Sequence, residues 1–223
     1  MSRITVVTGA YGSGKSEFCA QLALRNAPCA IADMDVINPY FRVRERHAYL
    51  ASFGVEVIDS SLGHQLNQDI PAISGAIGGY VRNPDKRLII DLAGSENGLK
   101  ALRLFDEVIK KQPYETVLVM NPFRIEMSFQ EVKEMIVLFR ETCHLEITGI
   151  VNNSNLLDAT TLDDLKRGQE MIMQISRETG LPVAYTMIPA SLQEGFMFYE
   201  SKAILVEEWL LREDWMGEKY AKF

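Results

Sequence analysis

A glycine-rich stretch near the start of the chain has the residues and the spacing needed to bind phosphate. Its sequence is GAYGSGKS, from Gly9 to Ser16, between an apolar run and a helical pattern. Glycines let the backbone wrap closely around an anion, and the N-terminal amides of the following helix point at the same place. In the spacing G-x-x-x-x-G-K-[ST], Lys15 would contact the β- and γ-phosphates and Ser16 would hold Mg²⁺. We therefore predict a phosphate-binding loop with a magnesium cofactor.

The predicted nucleotide-binding residues of this stretch extend one position into the helix. They are Gly9, Tyr11, Gly12, Ser13, Gly14, Lys15, Ser16 and Glu17. Tyr11 could stack on a ligand, cover the phosphates, or pack under the loop. The alternative interpretation is a glycine-rich surface loop that binds nothing.

A carboxylate follows a later apolar run, in the sequence RLIIDLAG. Asp91 ends this run, where a lone buried carboxylate would be costly unless a cation compensates it. We predict Asp91 as a magnesium ligand. The D-x-x-G spacing places Gly94 where its amide could contact the γ-phosphate, in a loop that could move on hydrolysis. The alternative is that Asp91 caps the next helix.

Two more carboxylates, Asp33 and Asp35, follow the second apolar run. Their spacing puts both on one face of an extended chain, where like charges repel unless a cation or a proton relieves them. Proximity to Mg²⁺ and to an attacking water is one solution, and an exposed turn is the other. We predict Asp33 as a third metal ligand with Ser16 and Asp91. Lys15 of the glycine loop is also a predicted catalytic residue.

Short apolar, β-branched runs alternate with helical patterns along the chain. Seven runs predict strands, at residues 4–8, 29–32, 55–58, 88–92, 116–120, 147–151 and 183–188. Helices are predicted at 17–25, 98–111, 128–142 and 163–179, and residues 59–80 are predicted to be irregular. Continuous apolar strands separated by helices are typical of a mostly parallel α/β sheet with helices on both faces. We predict about seven strands in one domain over residues 1–223.

Net charge and apolar content argue against two classes of binding partner, nucleic acids and membranes. The net charge of −7 over 223 residues disfavours nucleic acid and anionic lipid as partners. No stretch approaches the roughly 20 apolar residues that span a bilayer. The N-terminal apolar run ends in the glycine loop, unlike a signal peptide. We expect a cytoplasmic protein with no membrane contact.

The three cysteines, Cys19, Cys29 and Cys143, are scattered and form no C-x-x-C pair. We expect reduced and at least partly buried thiols. A metal or cluster bridging two subunits is the alternative.

The glycine loop, the D-x-D after the second strand and the D-x-x-G after a later strand together resemble the SIMIBI class of P-loop NTPases. Within that class the pattern is most similar to the MinD/ParA/CobQ-CobB-type nucleotide-binding family, over roughly residues 3–191. The resemblance implies an ATPase with a Rossmann-like sheet that dimerises around nucleotide. It also implies that Asp35 orients the attacking water, with Asp33 in support.

The resemblance extends to the binding of the base. Asn152 and Asn153 end a strand where the family commonly uses Asn to contact adenine, and Pro189 and Ala190 end another strand near the base. The guanine-specific N-K-x-D pattern is absent, because no Lys follows either asparagine. ATP is therefore favoured over GTP. Plain turn residues are the alternative for both asparagines.

One departure from the family concerns the dimer. MinD and ParA proteins carry a second lysine early in the loop, which reaches the partner's phosphates, and here Ala10 takes that position. Arg42, Arg44 or Arg46 could supply the missing charge from a partner subunit. Homodimerisation is left open. MinD-type proteins end in an amphipathic membrane helix, and residues 195–223 carry the apolar and aromatic residues for one. Their acidic residues favour a last helix docked on the sheet, or a partner contact, instead.

The sequence supports three functions. The first is a MgATP-dependent switch that hydrolyses ATP slowly and acts on a client protein. The second is a small-molecule kinase or ATP-dependent ligase, with Arg42, Arg44, Arg46 and Arg124 as anion-binding residues. The third is a nucleotide-binding scaffold without hydrolysis.

Overall fold

The fold is an eight-stranded sheet, seen in a computed structural model that describes residues 1–34, 43–58, 70–125, 128–197 and 201–211. The strands are β1 (Ile4–Thr8), β2 (Cys29–Asp33), β3 (Val55–Ile58), β4 (Leu88–Asp91), β5 (Tyr114–Met120), β6 (Gly149–Asn152), β7 (Val183–Pro189) and β8 (Lys202–Val206). Their order is β3-β2-β4-β1-β5-β6-β7-β8, and every neighbouring pair is parallel. The parallel α/β sheet is confirmed, with eight strands where about seven were predicted.

Within the described ranges, seven α-helices lie between or beside the strands. They are α1 (Lys15–Leu24), α2 (His47–Ser52), α3 (Ile70–Arg82), α4 (Glu96–Leu102), α5 (Asp106–Ile109), α6 (Phe129–Cys143) and α7 (Leu162–Thr179). Consecutive strand residues enter different cores: Val6 packs with α3 to α7 on one face, and Val7 packs with α1 and α2 on the other. Helices therefore cover both faces, as predicted.

Three predicted elements differ from the structure. The stretch 59–80 was predicted as irregular because of its glycines, yet α3 occupies its second half, since Ile77 and Val81 are spaced to enter the core. The single helix predicted at 98–111 is two helices, α4 and α5, separated by residues 103–105. Within residues 201–211 the predicted last helix is instead the edge strand β8.

The register of the sheet brings residues from distant parts of the chain together. Asp33 at the end of β2 is the register partner of Asp91 at the end of β4, and Asp91 is also the partner of Val7 in β1. On the other side of β1, Met120 at the end of β5 pairs with Asn152 at the end of β6. The carboxyl ends of parallel strands form the edge where ligands bind in α/β sheets.

Among the described residues, no helix is both long and apolar enough to cross a bilayer.

Candidate functional site

The glycine loop links β1 to α1, as its motif requires. Ser13 N–H donates to the carbonyl of Ala10 at 3.2 Å, and α1 starts at Lys15, directly after Gly14 in the left-handed conformation. Lys15 is 6% exposed, and its Nζ donates to the same Ala10 carbonyl at 3.2 Å. The ammonium group thus lies over the loop, bound to a neutral acceptor that an anion could replace.

Asn153 holds the loop from the β6 side. Its amide Nδ2 donates to the carbonyl of Ser13 at 2.7 Å. Gly14, at φ +90°, lies so close that a Cβ there would be 2.2 Å from the same Nδ2. Glycine at position 14 therefore serves both the backbone conformation and the approach of Asn153.

Gly94 makes a second close approach, from the β4 side. A Cβ at this position would lie 2.2 Å from the carbonyl oxygen of Gly9. The D-x-x-G segment after β4 is therefore in contact with the start of the glycine loop. This is the arrangement expected if the Gly94 amide is to share a ligand with that loop.

Asp33 and Asp91 are neighbours at the ends of the adjacent strands β2 and β4, and their exposed fractions are 6% and 1%. Neighbouring strands are about 4.8 Å apart, so the two carboxylates are close. Oδ2 of Asp33 and Oδ1 of Asp91 are buried and accept no hydrogen bond within the described part of the chain, although both residues have other interactions. Oxygen ligands of this kind suit Mg²⁺.

A magnesium ion here would need further oxygens. No cluster of three or more metal-binding side chains occurs within the described ranges. Mg²⁺ commonly takes only one or two carboxylates and completes its shell with phosphate and water. The half-buried Ser16, next to Lys15, is the remaining predicted ligand, so the donor set fits a magnesium–nucleotide complex and not a closed protein site.

Cys19 lies under the two carboxylates. Burial raises the pKa of its thiol well above the ordinary value, and the charges of Asp91 and Asp33 and a hydrogen bond to Asp91 add to the shift. All three cysteines are free and buried, as expected.

The remaining predicted residues fall into two groups, those that the structure does not describe and those whose position it gives. Asp35 and Arg42 are outside the described residues, as is the side chain of Arg44. Tyr11 is 70% exposed, so its ring does not pack under the loop. Arg124 lies in a turn after β5, where its N–H donates to the Asn121 carbonyl at 3.2 Å.

Buried amide side chains connect the loop to the ends of β5 and β6. Asn155 Nδ2 donates to Asn153 Oδ1 at 2.7 Å, and Asn121 Nδ2 donates to the Asn155 carbonyl at 3.0 Å. Asn152 Oδ1 accepts from Ser154 Oγ at 2.6 Å. The four asparagines are at most 3% exposed.

Asn121 and Asn155 were not predicted to support the loop, although both are bonded within this network. The signal that could have found them is the density of asparagines directly after two buried strands. Pro189 and Ala190 lie at the same sheet edge, where β7 ends and a 3₁₀ turn begins.

Glu17 has an unexpected set of partners for a predicted nucleotide-binding residue. It is 7% exposed, and its Oε1 accepts from the N–H of Leu210 at 3.1 Å and from Gln21 Nε2 at 2.9 Å. Its Oε2 accepts from the N–H of Leu211 at 2.9 Å. The carboxylate therefore binds the backbone that follows β8.

Comparisons with known proteins identify the fold. No protein-family model matches the chain, and no curated protein does. Among solved structures, the signal recognition particle receptor FtsY from Elizabethkingia anophelis matches with a TM-score of 0.58 and 21% identity, over 87% of this chain and 61% of that one. Cell division protein FtsY from Thermotoga maritima matches at 0.51 and 22%, over 83% and 61%. The fold is that of a SIMIBI-class P-loop NTPase.

A third match extends the likeness to another protein of this fold. The signal recognition particle 54 kDa protein from Aeropyrum pernix, in complex with GDP, matches with a TM-score of 0.51 and 18% identity, over 81% of this chain and 40% of that one. This chain spans less than two thirds of the length of each of these three structures.

Proposed function

We propose that this protein is a MgATP-dependent P-loop switch that hydrolyses ATP slowly and acts on a client protein. The observation that carries the proposal is the position of the glycine loop after β1: the strands that end in Asp33 and Asp91 lie on one side of β1, and Asn153, the amide that supports the loop, lies on the other. A loop of neutral backbone amides and one ammonium group, beside buried carboxylates, is suited to a magnesium-bound polyphosphate.

Each residue has a distinct part in this proposal. Lys15 would exchange the Ala10 carbonyl for phosphate oxygens, and Ser16, Asp33 and Asp91 would hold Mg²⁺. When bound, Mg²⁺ would neutralise phosphate charge and polarise the group that is transferred. Asp35, by its resemblance to the family, would orient the attacking water. Asp33 would support Asp35 in this step.

The base is proposed to be adenine. Asn153, which supports the loop from the end of β6, is the residue that corresponds to the first position of an N-K-x-D pattern. Ser154 and Leu156 then occupy the Lys and Asp positions of that pattern. Guanine offers two N–H groups on its Watson–Crick edge, which need an acceptor such as a carboxylate, and Leu156 provides none. Asn152, Pro189 and Ala190 would contact adenine instead. The GDP complexes of one FtsY structure and of the 54 kDa protein favour guanine, so GTP must be tested too.

The client is proposed from the loops and from the fold. The segments that follow Asp33 and Asp91 would differ between the ATP and ADP states, as in other phosphate-controlled switches. The likeness to a signal recognition particle receptor supports a protein client, and it does not favour the kinase or ligase alternative. Whether a second copy of the chain joins the site, with Ala10 at the position of the family's lysine, is a matter for sedimentation with and without nucleotide.

The test is equilibrium binding of MgATP and MgGTP to the wild type and to Lys15→Ala, with phosphate release followed on the same samples. We expect Lys15→Ala to weaken MgATP binding about 100-fold, as is typical when one partner of a close charge pair is removed. Lys100→Ala is the matched control, because Lys100 is an exposed residue of α4 paired with Glu96. Tighter binding of MgGTP would overturn the adenine assignment. Binding of neither nucleotide by the folded wild type would overturn the function.

A further inference from the structure

The chain segment after β8 lies against the first two turns of α1. Gln21 Nε2 donates to the carbonyl of Glu208 at 2.8 Å. Glu17 accepts from the N–H groups of Leu210 and Leu211 at 3.1 and 2.9 Å. Both leucines are buried in the core that α1 shares with the sheet. Glu17 is the neighbour of Ser16, the proposed magnesium ligand, so this contact begins at the edge of the nucleotide site.

Leu210 is also held from a second direction. Arg46 Nε donates to its carbonyl at 2.7 Å. Arg46 ends the 3₁₀ turn Val43–Arg46, which packs against α1 and β2 and follows the D-x-D region in sequence. One peptide residue thus has its N–H bound by the carboxylate of Glu17 and its carbonyl bound by the guanidinium of Arg46.

These contacts are stronger than average backbone hydrogen bonds. A charged donor or acceptor makes a bond roughly twice as strong as a neutral pair. Glu17 is buried, so the loss of its partners would leave a carboxylate without compensation in the core. Docking of residues 207–211 and the position of the first turn of α1 are therefore energetically linked.

We propose that Glu17 is a positioning residue for nucleotide binding, which acts through Leu210 and Leu211. Together with Arg46 it makes the docking of residues 207–211 and the binding of MgATP stabilise each other. The inference rests on the proposed function, since it concerns the same loop. The physical reason is that Lys15, Ser16 and Glu17 share one helical turn. A ligand that fixes the first two also fixes the third, and by linkage the reverse holds to the same extent.

Hydrogen exchange and nucleotide titration together test the proposal. In the wild type, MgATP slows exchange of the Leu210 and Leu211 amides. Glu17→Gln keeps the shape of the side chain and removes its charge, so it speeds exchange of these amides and weakens MgATP binding about 5- to 20-fold, within the usual range of coupling between sites. Glu96→Gln is the matched control, because Glu96 is an exposed glutamate in the first turn of α4. It changes neither quantity.

A double-mutant cycle separates positioning from a general loss of stability. Arg46→Lys keeps the charge and changes the geometry at the Leu210 carbonyl. If both residues act through Leu210, the effects of Glu17→Gln and Arg46→Lys on MgATP affinity are smaller together than their sum. Arg46→Lys alone also serves if Glu17→Gln does not fold.

The outcomes distinguish the two proposals. If the wild type binds MgATP through Lys15, but nucleotide leaves the exchange at residues 207–211 unchanged and Glu17→Gln binds normally, the positioning proposal is overturned and the function stands. If the folded wild type binds no nucleotide, the function is overturned, and the positioning proposal with it.

Discussion

The two sides of the glycine loop are built in opposite ways. On the side of β5 and β6, the amide side (Asn121, Asn152, Asn153 and Asn155), hydrogen bonds of 2.6 to 3.2 Å join the asparagine side chains to one another, to the backbone and to the glycine loop. On the side of β2 and β4, the carboxylate side (Asp33 and Asp91), two acidic groups are buried next to each other. Folding alone completes the amide side. On the carboxylate side the two acidic groups repel each other when both are charged, and under the proposed function Mg²⁺ would relieve that repulsion.

This difference separates the parts of the site that position a ligand from those that depend on it. The amide side fixes the loop before any ligand arrives, which reduces the ordering cost of binding. Under the proposed function the carboxylate side would bind the magnesium ion, and magnesium–nucleotide would then raise the free energy of unfolding by mass action. Substitutions on the two sides should therefore differ in what they change.

The largest effect is expected on the carboxylate side. Asp91→Asn should weaken MgATP binding about 100-fold, because a charged ligand group is lost from a buried site. The fold should be affected less, since the amide has the same shape. Titration of ATP with Mg²⁺ and with EDTA measures the effect, and Asp85→Asn, at an exposed turn, is the control. A gain in ATP affinity from Mg²⁺ that is as large in Asp91→Asn as in the wild type would rule against the metal assignment.

The second largest effect is expected for a substitution on the amide side, which should lower the free energy of unfolding of the ligand-free protein. Asn153→Ala removes the donor to the Ser13 carbonyl, and leaving a buried acceptor unsatisfied costs about 1–3 kcal/mol. The free energy of unfolding in urea should fall by that amount, and MgATP should bind more weakly because the loop is no longer held. Asn97→Ala, at an exposed position in α4, is the control. A variant as stable as the wild type would show that the hydrogen bond contributes little.

The third prediction concerns how fast the buried thiols of Cys29 and Cys143 react and how stability depends on pH. Burial raises the pKa of Cys29 to about 11 and that of Cys143 to about 12, above the ordinary value near 9. At pH 8 both stay protonated in the folded chain, so alkylation should be slow until the protein unfolds. Because the folded pKa values are the higher ones, stability should be constant below pH 9 and should fall as the pH rises toward 11 and 12. Counting alkylated thiols by mass before and after unfolding checks this; rapid native labelling of Cys143 would contradict it.

The smallest effect distinguishes the two polar groups of Ser13. Its backbone carbonyl is bound by Asn153, but its hydroxyl is buried and has no hydrogen-bond partner within the described residues. Ser13→Ala should therefore leave the unfolding free energy unchanged or raise it by up to about 1 kcal/mol. Compared in the same urea titration, a loss as large as that of Asn153→Ala would mean that the hydroxyl matters more than the carbonyl.

The fold was predictable where the signal was local. All seven predicted strands lie within about two residues of the observed ones, because β-branched runs buried on both faces are easily distinguished from helices. The strand β8 was missed because its sequence, KAILV, lies among acidic and aromatic residues that fit an amphipathic helix equally well. The helix α3 was missed because Gly75, Gly78 and Gly79 interrupt it, and burial overrides their low helix propensity.

In the candidate site, too, the residues that belong to local motifs were predictable and the contacts between distant residues were not. The glycine loop was found from its spacing, and Asp33 and Asp91 from their positions after buried strands. The hydrogen bond from Asn153 to Ser13 joins residues 140 positions apart, so no local motif could predict it. Glu17 was assigned to the nucleotide because it follows Ser16, whereas its carboxylate is bound by Leu210 and Leu211. Neither the partner nor the direction of a side chain can be inferred from its neighbours in the chain.

The bonds from Glu17 to Leu210 and Leu211 span 193 and 194 positions, and this separation has a consequence for synthesis. The glycine loop leaves the ribosome long before the backbone amides that Glu17 binds. A nascent chain can form the loop and the start of α1 early, but Glu17 has no access to these two amides until translation has passed residue 211. We therefore expect ribosome-bound chains that stop before Leu210 to bind MgATP more weakly than chains that extend past Leu211, so that competence for nucleotide is acquired only when residues 207–211 have been translated.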